Sequence, residues 1–472
     1  MAKKKVDENA QVKKAVKKAV KKTAKKTVKK AMRGDTKAII AIIAVLVIIA
    51  IAVAAVYFVA PEVFDFILNP SADNGNSEVI SGGSGINSNS NSGVNGDSNS
   101  GVDGGISGID GNTDSDVNDG NNGSGGSNGS LLDGVAEGDL VMYALDCGQG
   151  DCIYIQFPDG KDMLIDAGNE RGSNLANYNG GKLAQMMDEL VSDDTLDYLM
   201  LTHADADHVS YLDEVLALYQ VNEIYMPNIK AENNIVTNAN LDSAKIAMFT
   251  DTDTITTNVY ASFFVAALTE PNCNIHLNIG QFTISGTGWK IDFFGYTQEE
   301  WDNTNLSNAE KKNAVSPVGI LQCNNRRVVL TGDSNEMNED DAVEKIKAFY
   351  SVDKLDCDIL KVGHHGSETS STVEFLDFIT CEYAVCSCGT GNSYEHPRFN
   401  TLIRLANRDT SLYRTDLQGY VKVVIKTDTT IAFTTEVTDV TDDDLWTGFY
   451  GVKEDGNTVY YTKKAVKGDN EI

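Results

Sequence analysis

The sequence predicts an α/β domain with four layers, in which two β-sheets pack face to face and helices cover both outer sides. Short apolar runs typical of strands begin near residue 140 and recur to about residue 426. The first runs follow one another directly, whereas the later ones alternate with helical patterns, and this order favours an αββα sandwich. We place this domain at residues 134–440, followed by a C-terminal extension at 441–472.

The elements of this domain can be read in order along the chain. Strands are predicted at VMYALDC, CIYIQFP, MLIDAG, DYLMLTH, EIYMPN, QFTISG, WKIDFFGY, VGILQC, RRVVLTGD, DILKVGHH, YAVCSCG and VKVVIK, and helices at LAQMMDELV, YLDEVLALYQ, DDAVEKIKAFY, STVEFLDFI and TLIRLANR. A polar stretch from residue 230 to about 272 is predicted to be an insertion. Residues 446–462 predict a terminal hairpin that turns at residues 455 and 456.

The first 60 residues predict a membrane anchor. Residues 1–37 carry fourteen Lys and one Arg against three acidic residues, whereas residues 38–60 carry no charge. As a helix the uncharged segment spans roughly 34 Å, enough for a hydrocarbon core of about 30 Å. Because a Lys-rich flank stays cytoplasmic, we expect a single-pass cell-membrane protein whose folded domain lies outside the cytoplasm. The alternative for this segment is a cleaved signal peptide.

The two flanks of the apolar segment have different compositions. The Lys-rich tail is interpreted as a solvated charge block that contacts anionic lipid headgroups, with a nucleic-acid-binding tail as the alternative. Residues 61–133 are rich in Gly, Ser, Asn and Asp and contain too little apolar surface to fold, so a disordered linker is predicted. Such a linker tethers the domain to the bilayer without orienting it.

The remainder of the chain is strongly acidic. After residue 37 there are 24 basic and 65 acidic residues, a formal balance of -41. A domain with this charge repels polyanions over long range unless bound metal or a local basic patch reverses the field. Non-specific nucleic-acid binding is therefore not expected as its main task, but the charge does not exclude a nuclease. All eight Cys lie between Cys147 and Cys388, at spacings typical of neither paired zinc knuckles nor a small disulfide scaffold.

The placement of the scarce histidines predicts a metal centre. The chain has six His, and five of them stand beside Asp, Gly or Pro at the ends of predicted strands. The segment LTHADADH ends an apolar strand and brings His203, Asp205, Asp207 and His208 into one turn. Two imidazoles and two carboxylates so close together can converge on a pair of divalent cations.

Three further segments suit the same centre. Asp333, in VVLTGD, is placed to bridge two metals, and His364 and His365 follow a buried-looking strand in ILKVGHHGS. Asp166, in LIDAG, either orients a ligand from behind or holds its own loop. The Gly-rich turn LDCGQGD, residues 145–151, indicates no function by itself.

Taken together, these segments resemble the metallo-β-lactamase superfamily, and within it the soluble hydrolase domain of ComEC-type DNA-uptake competence proteins. The resemblance runs from about residue 141 to 435 and is carried by eight motifs in the family's order. They are LDCGQGDC, LIDAG, LTHADADH, NAVSPVGIL, VVLTGD, LKVGHHGS, SCGTGNSYEHP and YRTDLQG.

The resemblance implies a metallo-β-lactamase sandwich that holds two divalent metal ions, Zn or Mn. The ligands implied by position are His203, Asp205, Asp207 and His208, with Asp333 as the bridging carboxylate and one of His364 and His365 as the last ligand. Asp205 stands where many members have His, and Asn313 where the superfamily often has a third His ligand. The larger share of oxygen donors makes Mn²⁺ a serious competitor to Zn²⁺.

The resemblance also implies loop residues near the substrate. His396 would act as a substrate contact or a proton donor, and Ser387, Asn392 and Tyr394 match family loop positions that packing explains equally well. Two departures concern substrate preference. Val-Ser-Tyr follows the HADADH turn where relatives often have Ile-Gly-Gly, and Arg398 replaces a frequent second His.

The chemistry expected of such a centre is hydrolysis by a metal-activated water, with Asp207 positioning the nucleophile or accepting its proton. The resemblance makes DNA or another phosphodiester the first choice of substrate, and thus a phosphodiesterase or nuclease. One alternative is a hydrolase of small phosphoesters or of carboxylic esters and lactams, which the negative charge favours. Another is a catalytically inactive, envelope-anchored binding protein, against which the retained His and Asp residues argue. A role in DNA uptake would require a protein partner.

Overall fold

The computed structural model describes residues 130–169, 175–302, 313–454 and 457–472. The predicted tail, the apolar segment 38–60 and the linker up to residue 129 lie outside these residues. Within the described ranges, no helix has the length and apolarity needed to cross a bilayer.

Most of the strands belong to two large sheets. In chain order the strands are β1 Leu140–Ala144, β2 Ile153–Gln156, β3 Asp162–Ile165, β4 Thr195–Met200, β5 Gln220–Met226, β6 Lys230–Ala231, β7 Thr254–Ile255, β8 Asn274–Leu277, β9 Gln281–Gly286, β10 Trp289–Phe294, β11 Val318–Cys323, β12 Arg326–Leu330, β13 Ile359–Lys361, β14 Tyr383–Cys386, β15 Ser411–Arg414, β16 Val421–Ile425, β17 Ile431–Thr435, β18 Thr447–Glu454 and β19 Asn457–Lys464. The first sheet has the order β17-β16-β1-β2-β3-β4-β5-β8, and the second the order β15-β14-β13-β12-β11-β10-β9.

In chain order the helices are α1 Lys182–Leu190, α2 Ala206–Val209, α3 Leu212–Leu218, α4 Asn234–Asn238, α5 Ser243–Ile246, α6 Asn258–Thr269, α7 Gln298–Asp302, α8 Glu336–Tyr350, α9 Val373–Ile379, α10 Phe399–Ala406, α11 Thr415–Gln418 and α12 Asp442–Leu445, with 3₁₀ turns at Tyr178–Gly181 and Gly363–Gly366. Helices α1, α3 and α6 pack on the first sheet, and α8, α9 and α10 on the second.

Three apolar cores separate the four layers. In β1, Met142 points between the sheets and packs in the same cluster as Ile291 and Leu321 of the second sheet. Its neighbour Val141 points outward, into the cluster that joins the first sheet to its helices, and a third cluster lies under α8, α9 and α10. Strands buried on both faces show continuous apolar runs, which is the pattern of these segments. The predicted αββα sandwich is therefore confirmed.

The polar stretch that is predicted to be an insertion, residues 230–272, is not polar throughout. It contains α6, whose sequence NVYASFFVAALT buries Tyr260, Phe263 and Phe264 in the outer core of the first sheet. The helix contributes to the fold because these aromatic side chains are fully covered. The polar residues that surround α6 in the sequence concealed this short apolar helix.

Parallel strands position the functional side chains. β3, β4 and β5 pair in parallel in the first sheet, and β12, β13 and β14 pair in parallel in the second. The carboxyl ends of parallel strands lie at one edge of their sheet, where ligands commonly bind. The predicted site residues follow the ends of β3, β4, β12 and β13, so the topology gathers them at this edge.

The C-terminal extension packs onto the domain. β18 and β19 form the predicted hairpin over eight residue pairs, while its turn residues 455 and 456 lie outside the described part of the chain. Arg414 donates hydrogen bonds to the carbonyl oxygens of Leu445 and Thr447 at 2.9 and 2.7 Å. Ala465 is buried in the same core as α10, so the hairpin is fixed at its base.

Candidate metal centre

Asp166 connects two loops behind the centre. It adopts a positive φ of 56° directly after β3. One carboxylate oxygen accepts from the Thr202 backbone amide at 2.7 Å, and the other accepts from the Thr202 hydroxyl at 2.7 Å and lies 2.8 Å from His208 Nδ1. Asp166 thus both holds its loop and orients the His208 ring, leaving Nε2 to face the centre.

Asp333 lies between two pairs of histidines. Its Oδ1 atom is 3.1 Å from His208 Nε2 and 3.3 Å from His365 Nε2. Its Oδ2 atom is 3.7 Å from His203 Nε2 and 3.5 Å from His364 Nε2. Each oxygen therefore faces two imidazoles, and both members of the His364–His365 pair point to this carboxylate.

Asp207 and Asp151 complete the side of the centre formed by His208 and His365. Asp207 Oδ2 lies 3.4 Å from His365 Nε2, and Asp151 Oδ1 lies 3.4 Å from His365 Nδ1. One ligand atom from each of Asp151, His208, Asp333 and His365 falls within 4.8 Å of the others. Sequence reasoning missed Asp151, although it closes the GQGD turn.

The donor set fits divalent cations. His208 Nε2 and His365 Nε2 face each other at 3.1 Å beside the same carboxylate oxygen. His203 Nε2 is buried and has no hydrogen-bond partner among the described residues. Imidazole nitrogens and carboxylate oxygens directed at common points are the ligands that Zn²⁺ and Mn²⁺ use. The cluster is therefore a candidate site for divalent metal ions.

The electrostatics of the cluster are dominated by its acids and histidines. Burial opposes charging of His208 and His365, but the carboxylates of Asp333 and its neighbours outweigh it, raising the pKa of His208 well above its usual range and that of His365 to about 10. Burial likewise opposes ionisation of Asp333, yet the adjacent histidines hold its pKa well below normal. The centre is thus built to stabilise positive charge next to ionised carboxylates.

The GQGD turn is held from both sides by close backbone contacts. The Asp151 amide donates to Asp207 O at 3.0 Å, and the Ser387 hydroxyl donates to Gly150 O at 2.8 Å. A Cβ atom on Gly150 would lie 2.2 Å from the carbonyl oxygen of Asp207. The turn therefore requires glycine because it packs directly against the loop that carries Asp207 and His208.

The remaining predicted site residues border this cluster. Asp205 precedes α2, and its charge acts on His203. Asn313 Nδ2 lies 3.3 Å from His364 Nε2. The carbonyl oxygen of Ser387 lies 2.9 Å from His365 Nδ1 and fixes the orientation of that ring.

The loop after β14 places the His396 ring next to His364. The Asn392 side chain accepts from the His396 amide at 3.0 Å and donates to the His396 carbonyl at 2.7 Å. The His396 ring centre lies 5.6 Å from that of His364 and 5.7 Å from that of Tyr394. Asn392 is buried and stabilises the loop through these hydrogen bonds, whereas Tyr394 is 47% exposed.

Comparisons with known proteins agree with this arrangement. Residues 145–234 match the model of the metallo-β-lactamase superfamily. Competence protein ComA of Neisseria gonorrhoeae is 34% identical over 127 residues, which cover 25% of this chain and 18% of that protein. ComE operon protein 3 of Bacillus subtilis is 24% identical over 299 residues, 61% of this chain and 33% of that protein.

The solved structures that match the chain share little sequence identity with it. The metallo-β-lactamase fold protein YhfI from Bacillus subtilis is 10% identical with a TM-score of 0.34, and the match covers 63% of this chain and 99% of YhfI. The chain spans a third or less of the length of the curated relatives it matches. The chain is thus similar to the metallo-β-lactamase superfamily over residues 145–234, and over longer stretches it resembles the ComEC-type competence proteins.

Proposed function

We propose that this chain is a membrane-anchored, metal-dependent phosphodiesterase or nuclease. The observation that carries the proposal is the position of Asp333, whose two oxygens each face a separate pair of imidazoles. A carboxylate shared in this way suits a dinuclear centre, and dinuclear centres with oxygen-rich ligands suit displacement at phosphorus. The similarity to proteins named for competence and recombination supports a nucleic-acid substrate.

The two halves of the centre would hold different ligands. His203 and His364 face one oxygen of Asp333, and His208 and His365 face the other. Asp205 would join the first pair as a ligand, and Asp207 the second. Divalent ions held there, Zn or Mn, would lower the pKa of a bound water and polarise the scissile phosphoryl oxygen. Carboxylates form a larger share of the candidate ligands here than in sites built mainly from imidazoles. Oxygen donors make Mn²⁺ a competitor of Zn²⁺.

Asp207 is assigned to the nucleophilic water, and His396 to the substrate. Burial opposes ionisation of Asp207, but the hydrogen bond from His365 and the charge of His208 lower its pKa to about 2, so it is an ionised acceptor. Burial and then the neighbouring histidines lower the pKa of His396 to about 2. A neutral His396 favours a role as a hydrogen-bonding substrate contact over that of a proton donor.

The membrane anchor is proposed from the sequence. Residues 38–60 would span the bilayer, with the Lys-rich tail on the cytoplasmic side against anionic headgroups and the hydrolase domain outside the cytoplasm. The linker would let the domain reach substrates near the membrane surface.

The experiment that tests the proposal uses the full-length chain in detergent. Metal content is measured together with turnover of bis-p-nitrophenyl phosphate, a single-stranded oligonucleotide, p-nitrophenyl acetate and a lactam, before and after chelation and re-addition of Mn²⁺ or Zn²⁺. His208→Ala is compared with His276→Ala, because His276 pairs with Glu223 away from the centre. We expect metal-dependent cleavage of the phosphodiesters that His208→Ala abolishes and His276→Ala retains.

The other outcomes decide between the alternatives. Turnover of only the acetate or the lactam would show that the enzyme is an esterase or a lactamase and not a phosphodiesterase. The formal charge of -41 does not hinder the approach of such small substrates. Bound metal without turnover of any substrate would favour the binding protein. Failure of the wild-type chain to bind metal would refute the metal centre.

A further inference from the structure

The two faces of the C-terminal hairpin have different neighbours. Successive residues of a strand point to opposite faces, so Tyr460 and Tyr461 of β19 lie on different sides, although they are 40% and 41% exposed. The Tyr461 ring packs against Tyr450, which contacts Phe399 of α10. Tyr460 lies on the other face, opposite Gly451.

The Tyr460 face is joined to the loop that carries His396. The Phe449 amide donates to Pro397 O at 3.1 Å, and Arg398 pairs with Phe449 as a short parallel bridge. The Arg398 guanidinium lies 4.5 Å from the centre of the Tyr460 ring and donates to its hydroxyl at 3.3 Å. Among the described residues no acidic side chain forms an ion pair with Arg398, so its charge is available to an anion.

This stacked pair lies next to the candidate metal centre. Arg398 is two residues from His396, and its charge contributes to the lowered pKa of that histidine. The exposed Tyr394 ring lies 26° from parallel to the His396 ring on the same loop. Two exposed aromatic rings, and a guanidinium that forms no ion pair among the described residues, thus lie on or against the loop that carries His396.

We propose that Tyr394, Arg398 and Tyr460 form a stacking surface that binds the bases and phosphates of a single-stranded polynucleotide beside the metal centre. Aromatic rings next to a cation bind single strands without sequence preference, because every base has a face that can stack. Binding of a polyanion to this domain also requires a local cation, because the chain after residue 37 has a formal charge of -41. The inference rests on the proposed nuclease function, and Tyr460 lies beyond residues 141–435, which carry the family resemblance.

The test compares Tyr460→Ala with Tyr461→Ala in the full-length chain. With a single-stranded oligodeoxynucleotide we expect Tyr460→Ala to raise KM about tenfold, the order of one lost base stack. Tyr461→Ala should leave KM unchanged, and Tyr460→Phe, which keeps the ring, should stay near wild type. Turnover of bis-p-nitrophenyl phosphate by Tyr461→Ala should equal that of wild type, which shows that this control variant retains the metal centre.

A second readout does not depend on turnover. An oligodeoxynucleotide containing thiothymidine is photo-cross-linked to the chain, and the modified peptides are mapped by mass spectrometry, which separates the hairpin from the Lys-rich tail. We expect cross-links at Tyr460 that are lost in Tyr460→Ala. Cross-links at Tyr460 without any phosphodiester turnover would refute the proposed function but support this surface. Diester turnover with no cross-link at Tyr460, or equal KM changes in Tyr460→Ala and Tyr461→Ala, would refute the surface and leave the function standing.

Discussion

Asp151 and Lys361 form a buried ion pair that links the two sheets beside the candidate metal centre. Lys361 Nζ lies 2.9 Å from Asp151 Oδ2, and both residues are 2% exposed. Asp151 belongs to the turn between β1 and β2, whereas Lys361 ends β13 of the opposite sheet. Burial opposes both charges, yet each partner offsets that cost for the other, so the pKa of Asp151 is lowered and that of Lys361 raised.

Breaking this pair from one side should destabilise the domain strongly. We expect Lys361→Met or Asp151→Leu alone to lower the free energy of unfolding by about 3–5 kcal/mol, because each leaves an unpaired buried charge. The combined variant should lose less than the sum of the two, as measured by urea denaturation in a double-mutant cycle. Additive losses would show that the two charges do not depend on each other.

Replacing Asp166 should weaken metal binding with little loss of fold. Asp166→Asn retains one oxygen acceptor and tolerates the positive φ of this position, but it removes the negative charge behind His208. We expect about a 10- to 100-fold loss of metal affinity, the usual effect of changing a residue that orients a metal ligand. Competition titration with a chelating dye measures it, and an unchanged affinity would contradict the orienting role.

Two glycines offer a matched test of the close packing behind the centre. Gly150→Ala would place a Cβ atom 2.2 Å from Asp207 O, whereas Gly160→Ala, also at positive φ, meets no atom within 4 Å. We expect Gly160→Ala to cost about 1 kcal/mol from backbone strain alone. Gly150→Ala should cost more and reduce metal affinity, because the Asp207 loop must shift. Equal stability and equal metal content of the two variants would argue against this packing.

The free energy of unfolding should depend on pH through Asp162, which is not among the candidate metal ligands. Burial and then Asp197 raise its pKa to about 7, although the Asp197 amide donates to it at 2.9 Å. Because the folded-state pKa is raised, its stabilising effect is complete below about pH 4 and is lost as the pH rises through about 7.

Asp162→Asn should therefore gain stability relative to wild type between about pH 5 and about pH 8. The relative gain is about 3 kcal/mol, because about two pH units below the raised pKa contribute about 1.4 kcal/mol each. Urea denaturation of both chains at the two pH values measures it. A constant difference between the chains would mean that Asp162 titrates normally.

Much of the fold followed from periodicity, and the failures have local causes. The strands that carry Asp333 and His364 were predicted because continuous apolar runs end in polar, Gly-containing turns. Helix α6 was missed because polar segments surround it, and the edge strand β17 because its residues are only partly buried. Asp151 was missed because a Gly-rich turn is common without any function.

Most of the elements, the αββα class and the kinds of side chain in the candidate centre follow from the amino-acid sequence, because His and Asp residues recur where apolar strands end. Three relationships depend on tertiary packing: which oxygen of Asp333 faces which histidines, the pairing of Asp151 with Lys361 across the sheets, and the stacking of Arg398 on Tyr460. These contacts join residues far apart in the chain. Periodicity records the environment of a strand or helix, whereas the partner across a sheet is set by how the two layers pack.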